Sequence, residues 1–130
     1  MIAAALLLLA ATVDEPKIDC DNAMAQVELN ACAYQDYERA DAAMNAQWKI
    51  TSARMKAIDA DFDRTQDNRA GYFDTLLAAQ RAWLTYRDKH CTGEGYTMRG
   101  GSAEPMVFSG CMTQLTEART KQLKDLIEEY

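Results

Sequence analysis

The feature that most constrains the fold is a long segment that contains neither glycine nor proline. It runs from Gln26 to about Asp63 and is dominated by Ala, Met, Gln, Glu, Arg and Lys, which all favour helices. Through it, mostly apolar residues recur at steps of three or four, the spacing of one helix face. These residues are Leu29, Ala33, Tyr37, Ala40, Met44, Trp48, Thr51, Met55, Ile58 and Phe62. The pattern predicts a long first helix.

This first helix would be long for a small domain. About 38 residues rising ~1.5 Å each would span ~57 Å. We therefore expect a break near its middle or a hairpin-like shape. Residues 14–22 carry no such stripe and are expected to form an extended lead-in.

Two further helices are predicted. Residues 63–71 lack large apolar side chains and should form a turn, followed by a second helix over about 70–91. Residues 92–105 contain four glycines and a proline, which predict a loop. A third helix is predicted over about 106–129. The expected buried faces are Tyr72, Leu76, Ala79, Trp83 and Tyr86 or Arg87 on the second helix, and Cys111, Leu115, Ala118, Gln122 and Leu126 on the third.

No alternating strand pattern, internal repeat or low-complexity tract interrupts these segments. Together they predict an all-α fold, a small antiparallel three-helix bundle with a long first helix. The core of so small a bundle is marginal, so disulfides would matter. Each could add about 2–4 kcal/mol by restricting the unfolded chain.

The N-terminus has the composition of an export signal. An apolar run from Ile2 to Ala11 is about half the ~20 residues that a membrane span needs, and polar residues follow from Asp14. We predict a signal peptide over residues 1–13, an exported domain over 14–130, and no stable membrane insertion after cleavage. A buried N-terminal helix is the alternative. The expected location is the periplasm or the outside of the cell.

Four cysteines, Cys20, Cys32, Cys91 and Cys111, form an even set. In an oxidising compartment such a set predicts two disulfides and no free thiol. Four cysteines allow three pairings, and the sequence alone does not choose among them. Locality favours Cys20–Cys32 with Cys91–Cys111.

The charge of the chain limits its partners. The formal net charge is −6 and the sequence pI is about 4.7. Binding to nucleic acid or to anionic membranes needs clustered Lys and Arg, so neither is expected. An acidic surface suits a cationic protein partner.

Catalytic and metal-binding patterns are lacking in the sequence. The single histidine, His90, adjoins Cys91, and neighbouring positions on a helix make poor co-ligands for a metal. Asp59, Asp61 and Asp63 alternate, so they do not share a helix face. No serine lies in a GxSxG motif, and no phosphate loop, haem motif or calcium loop is present. We predict a protein that is not an enzyme and has no catalytic residues, no cofactor and no metal.

The segment QRAWLTYRDKHC combines charged, polar and aromatic residues within the second helix. Gln80 and Arg87 lie on the same side as Trp83, at spacings of three and four. Arg81 and Asp88 are expected elsewhere on the helix. Arg87 therefore points toward the predicted core and needs a carboxylate partner there.

Asp41 is the candidate partner, because it lies within the apolar stripe of the first helix, four residues before Asn45. We expect Asp41, Asn45, Gln80 and Arg87 to form a polar clamp that sets the register of the helices. A binding role for these residues is the alternative.

The order of several motifs resembles one known family. The spacing C-x11-C is followed by AYQDYERADAAMNAQW, LLAAQRAWLTYRDKHC, GGS, a further cysteine and LTEART, as in the LprI-type lysozyme-inhibitor family. The resemblance covers nearly all of the chain after the signal. The positions that carry it include Cys20, Cys32, Asp41, Asn45, Trp83, Arg87, Cys91, Gly101, Ser102, Cys111 and Arg119.

This resemblance implies a small, exported, all-helical domain with disulfides. The family's namesake is a lipoprotein that inhibits lysozyme. This chain departs from that pattern because Cys20, in the segment KIDC, lacks the small residues of a lipid-attachment box. A lipid anchor is therefore not expected.

The resemblance makes inhibition of a lysozyme by protein–protein contact the expected function. Many lysozymes are cationic, so an acidic inhibitor would meet them faster. The loop at residues 92–105 could fill an enzyme cleft. Its candidate contacts are Tyr96, Met98, Arg99, Gly100, Gly101 and Ser102. The alternatives are that the loop is only a connector, and that the protein is a cell-envelope interaction or scaffold module without effect on lysozyme. A third and weaker alternative is an enzyme that uses surface carboxylates.

Overall fold

A computed structural model describes residues 17–130, which form three α-helices. These are α1 (Gln26–Asp61), α2 (Tyr72–Gly95) and α3 (Glu104–Glu128), with a short 3-10 turn at Tyr96–Met98. Residues 17–130 contain no strand, and the predicted all-α three-helix fold is confirmed. None of their helices is long and apolar enough to cross a membrane. The signal peptide predicted at residues 1–13 lies outside the described residues.

The expected break in the first helix is wrong, because α1 continues through 36 residues. It runs parallel to α3, which accompanies it along most of its length. Asn30 near the start of α1 donates to the Ser102 carbonyl, and Thr51 Oγ1 donates to the Leu123 carbonyl at 2.8 Å. Because one continuous partner covers α1, it does not have to fold back on itself to bury its apolar stripe.

The core lies between the three helices, around Met44, Met55, Leu76 and Leu123. The stripe predicted for α1 is buried or half-buried at every position. The face predicted for α3 is partly wrong. Ala118 and Gln122 are exposed, whereas Thr116 and Leu123 are almost fully buried. The predicted face passed over both, and the hydroxyl of Thr116 has a polar partner inside the bundle.

The connection between α2 and α3 is much shorter than the loop predicted over residues 92–105. Helix α2 continues to Gly95, and only residues 99–103 lie between the 3-10 turn and α3. Gly95 is buried, and a Cβ there would lie 3.4 Å from the Cβ of Phe108. A helical glycine costs only about 1 kcal/mol relative to alanine, so α2 can continue to Gly95, where it packs against α3.

Pro105 belongs to the first turn of α3, where proline is tolerated because its missing N–H needs no partner. It marks the start of a helix and not the end of a loop. The longest irregular connection in the described part of the chain is therefore 62–71, close to the predicted turn.

Both predicted disulfides are confirmed, with Cys20 bonded to Cys32 and Cys91 to Cys111. The first ties the lead-in to α1, and the second joins α2 to α3 in the interior. Both lie at the end of the bundle where α1 begins, α2 ends and α3 begins, which we call the disulfide end. At the opposite end, which we call the open end, α1 and α3 end and α2 begins.

Candidate functional site

The candidate binding surface lies at the disulfide end, in a tight turn from Met98 to Gly101. The Gly101 N–H donates to the Met98 carbonyl at 2.8 Å. Arg99 has φ −54° and ψ 124°, and Gly100 has φ 78°, values typical of the central residues of a type II turn. Glycine occupies the second of these positions because it adopts positive φ without steric cost.

Several contacts hold this turn against the helices. The Gly100 N–H donates to Glu104 Oε2 at 2.8 Å, and Asn30 Nδ2 donates to the Ser102 carbonyl at 2.9 Å. The turn is therefore tied to the first turn of α3 and to α1. Its backbone is ordered before any partner arrives, which lowers the conformational entropy lost on binding.

The side chains of this turn project into solvent. Tyr96 is 48% exposed and Met98 is 47% exposed. The Arg99 guanidinium lies 4.4 Å from the centre of the Tyr96 ring, so the two side chains make a cation–π contact. We refer to residues 96–102 as the Tyr96–Ser102 turn. It contains all six residues of the predicted partner-binding loop.

Arg87 is at the centre of the predicted polar clamp and is 5% exposed. Its Nη1 lies 3.3 Å from Asp41 Oδ1 and donates to Thr116 Oγ1 at 3.2 Å. Asn45 Nδ2 donates to the other Asp41 oxygen at 3.1 Å. Arg87 Nε also donates to Asp88 at 3.0 Å, so the expectation that Asp88 lies apart from this site is wrong.

Two aromatic rings complete the surroundings of Arg87. Its guanidinium carbon lies 5.1 Å from the ring centre of Trp83 and 5.5 Å from that of Tyr37. Burial raises the pKa of Tyr37, against the attraction of Arg87 for the phenolate. The phenol is therefore neutral around pH 7, and it packs against the cation without a second charge.

Gln80, the fourth predicted clamp residue, belongs to a separate cluster. Its Oε1 accepts a hydrogen bond from Arg119 Nε at 2.9 Å, and its Nε2 lies 3.7 Å from Met44 Sδ. The structure thus brings Asp41, Asn45 and Arg87 together but places Gln80 with Arg119.

Asp59 has a role that the sequence analysis missed. Its Oδ1 accepts from the Tyr72 N–H at 2.8 Å, and its Oδ2 accepts from the Phe73 N–H at 2.9 Å. The carboxylate of α1 therefore caps the start of α2. The pKa of Asp59 is lowered, chiefly by the hydrogen bond from Phe73, then by Tyr72 and Arg64, against the effect of burial.

One cluster has the composition of a metal site but not its chemistry. Potential ligand atoms of His90, Glu94 and Cys111 lie within 4.8 Å of one another. The sulfur of Cys111 is bonded to Cys91 and has no thiolate to offer. Two remaining ligands fall short of the set that binds zinc in proteins.

Known proteins resemble this chain in sequence and in fold. An uncharacterized protein of Rhizobium meliloti (strain 1021) is 44% identical over 118 residues, covering 91% of this chain and 85% of that protein. A crystal structure of a DUF1311 family protein from Pseudomonas putida KT2440 shares the fold, with a TM-score of 0.66 and 22% identity. The match covers 79% of this chain and 94% of the other.

Residues 20–123 match the family described as "Lysozyme inhibitor LprI". The match extends from the first cysteine to the buried Leu123 of α3, and it contains both disulfides, the Arg87 cluster and the Tyr96–Ser102 turn. This chain is therefore a member of the LprI lysozyme-inhibitor family.

Proposed function

We propose that this protein inhibits a lysozyme by inserting the Tyr96–Ser102 turn into the enzyme's substrate cleft. The observation that carries the proposal is the family match over residues 20–123. The inhibitory action named in the family description requires a protein partner, and residues 17–130 bring together no evident catalytic constellation. We therefore infer a binding protein and not an enzyme.

The geometry of the turn supports its assignment as the contact surface. A cleft that binds a glycan chain accepts a narrow projection, and Tyr96 could stack where a sugar ring normally lies. Arg99 could then approach the catalytic carboxylates of the cleft, since guanidinium groups bind carboxylates strongly. The rigid backbone of the turn keeps both groups in position.

The charge of the molecule supports a cationic partner. Its net charge of −6 would attract a basic lysozyme over distances of about 8–10 Å and raise the association rate. The cationic tip of Arg99 contrasts with this acidic background. We infer that the overall charge speeds the encounter and that the turn determines the final contact.

We further propose that residues 1–13 are a signal peptide and that residues 14–130 act in the periplasm or outside the cell. The two disulfides support this location, because disulfides persist in oxidising compartments. That location would also bring the protein to the enzymes that attack the cell wall.

A turbidity assay tests the proposal. Oxidised protein is titrated against a cationic lysozyme that is clearing a suspension of bacterial cells, and calorimetry measures the binding directly. We expect lysis to slow in proportion to the complex formed. Full-rate lysis with the folded protein in excess would reject inhibition of that enzyme, and capture of another envelope protein from periplasmic extract would then favour a scaffold role.

A further inference from the structure

The open end of the bundle contains a cleft that the lysozyme proposal does not use. Its volume is about 620 Å³, and it lies between α2, α3 and the connection at residues 62–71. Met55, Leu76 and Leu126 form its apolar floor, which is continuous with the main core. An apolar surface of this kind favours a ligand with an apolar body.

Aromatic side chains form the outer wall of this cleft. The ring of Tyr72 meets Phe62 on one side and Tyr130 on the other, each edge-on, at 5.6 Å between ring centres. From this wall the cleft extends along one face of α2, from Tyr72 to Ala79. The seven steps between these two residues, at ~1.5 Å each, give a groove of about 10 Å, long enough for an extended chain.

The cleft is cationic although the whole chain is acidic. The side chains of three arginines and one aspartate line it, and the formal charge of these four side chains is +2. Two of the arginines have carboxylate partners: Arg69 pairs with Asp67 at 2.6 Å, and Arg64 lies 3.8 Å from Asp59. Within residues 17–130, only the third, Arg119, lacks one.

Arg119 lies at the inner end of the groove and makes no ion pair with any residue in the range 17–130. Its Nε donates to Gln80, and its Nη1 donates to Gln122 at 3.1 Å. Its Nη2 makes no hydrogen bond with residues 17–130. Burial lowers the pKa of Arg119. Its guanidinium carbon also lies 5.9 Å from the centre of the Trp83 ring. A half-buried cation whose neighbours are neutral amides and an aromatic ring is favourably placed to receive an anion.

We propose that this cleft binds an amphipathic carboxylate, an extended apolar chain with a single carboxylate that pairs with Arg119. The chain would lie along the groove from Ala79 toward Tyr72, over the apolar floor. A singly charged head group fits because, among the described residues of the cleft, one arginine alone lacks a carboxylate partner. The proposal is independent of lysozyme inhibition, since the Tyr96–Ser102 turn lies at the other end of the bundle.

Octanoate is a suitable probe, titrated into the oxidised protein and followed by calorimetry and by the NMR shifts of the Leu76 and Leu126 methyl groups. We expect saturable binding with one site. Octan-1-ol should bind at least about tenfold more weakly, because it lacks the charge that Arg119 recognises. Octyltrimethylammonium should bind more weakly still.

Two variants and a matched control test the site. Arg119→Gln should weaken octanoate about tenfold while leaving octanol unchanged, and Ala79→Phe should block both by filling the groove. Arg81→Gln, which removes an exposed arginine from α2, should have no effect. Equal binding of octanoate and octanol, undiminished binding by the folded Arg119→Gln variant, or no binding of octanoate would overturn the proposal.

Discussion

The positive charge of Arg87 lies in the interior of the bundle, and several neighbouring side chains stabilise it together. Asp41 supplies a carboxylate, but its side chain is 34% exposed, so water weakens their attraction. Thr116 accepts a further hydrogen bond, and Trp83 and Tyr37 offer their ring faces. Arg87 should therefore matter more to stability than its pairing with Asp41 alone.

Arg87→Ala should lower the free energy of unfolding by about 3 kcal/mol, because it removes a buried side chain and its hydrogen bonds. In a double-mutant cycle with Asp41→Ala, the coupling should be only about 1 kcal/mol, because Asp41 is partly solvated. Urea denaturation measures both quantities. Arg81→Ala, on the exposed side of α2, is the matched control and should change little. Strict additivity in the cycle would show that the two side chains do not interact.

The capping role of Asp59 gives a pH-dependent prediction. Because folding lowers its pKa, Asp59 contributes stability at neutral pH that is lost as the pH falls below about 4. Asp59→Asn keeps one acceptor oxygen but does not titrate. The stability difference between wild type and this variant should narrow as the pH falls through that range, as measured by thermal unfolding from pH 7 to pH 3.

Asp61→Asn is the control for this experiment, since Asp61 is exposed and makes no side-chain hydrogen bond or ion pair with the part of the chain that is described. Its stability difference from wild type should stay small at every pH. A stability difference for Asp59→Asn that is independent of pH would show that the carboxylate does not cap α2 as a charged group.

For individual residues, sequence periodicity predicted some contacts and missed others. Asp41 and Arg87 lie at helical spacing among core positions, and the structure brings them together. Thr116 and Asp59 were missed because their partners come from other helices, and spacing within one helix carries no information about those. Asp88 was misplaced because side chains adjacent on a helix can still meet when a long arginine bends toward its neighbour.

The two disulfides differ in what they hold together. Cys91 and Cys111 are buried and join two helices that pack against each other. Cys20 lies outside the helices among exposed residues, and its bond to Cys32 ties down only the lead-in. A cross-link restricts the unfolded chain more when it closes a longer loop, and the sequence separation is 20 for Cys91–Cys111 and 12 for Cys20–Cys32.

Replacing Cys91 and Cys111 together by alanine should therefore lower the free energy of unfolding by about 2–4 kcal/mol. The Cys20→Ala and Cys32→Ala pair should cost clearly less and should mainly increase hydrogen exchange near the start of α1. Denaturant melts and exchange measurements on both double variants make the comparison. Equal losses of global stability would mean that the lead-in is an integral part of the cooperative fold.

Gly100 tests the backbone of the turn separately from its side chains. Its positive φ is unfavourable for alanine by about 1–2 kcal/mol, although no atom stands within 4 Å of a Cβ built there. Gly100→Ala should therefore distort the turn and weaken lysozyme inhibition while the helices stay folded. Circular dichroism and the turbidity assay measure the two effects. Gly110→Ala, also in open space but with ordinary φ, is the matched control.

The helices themselves were largely predictable, since apolar spacing and the lack of Gly and Pro indicated α1 and the turn after it. The end of α2 was not, because glycine is a general helix breaker in sequence but is tolerated where helices pack closely. Gly95 is such a position, and its neighbour Phe108 lies distant in sequence. The candidate binding segment is therefore shorter and more rigid than the sequence indicated.

The whole molecule is asymmetric along its length. The disulfide end carries both cross-links and a rigid turn with an exposed cation, tyrosine and methionine. The open end lacks a cross-link within the described residues and contains the arginine-lined cleft. The proposed inhibition would need rigidity in the segment that enters the enzyme, and the disulfide end provides it.

The most direct test is the turbidity assay on the double variant Tyr96→Ala with Arg99→Ala, compared with charge reversals at Asp36 and Glu38, which are exposed on α1. We predict that the turn variant loses at least about tenfold in inhibition, with unchanged helicity and melting temperature. The α1 reversals should alter mainly the association rate and its dependence on salt. Normal inhibition by the turn variant, with loss of binding in the α1 variant, would contradict this account and place the contact surface on the helices.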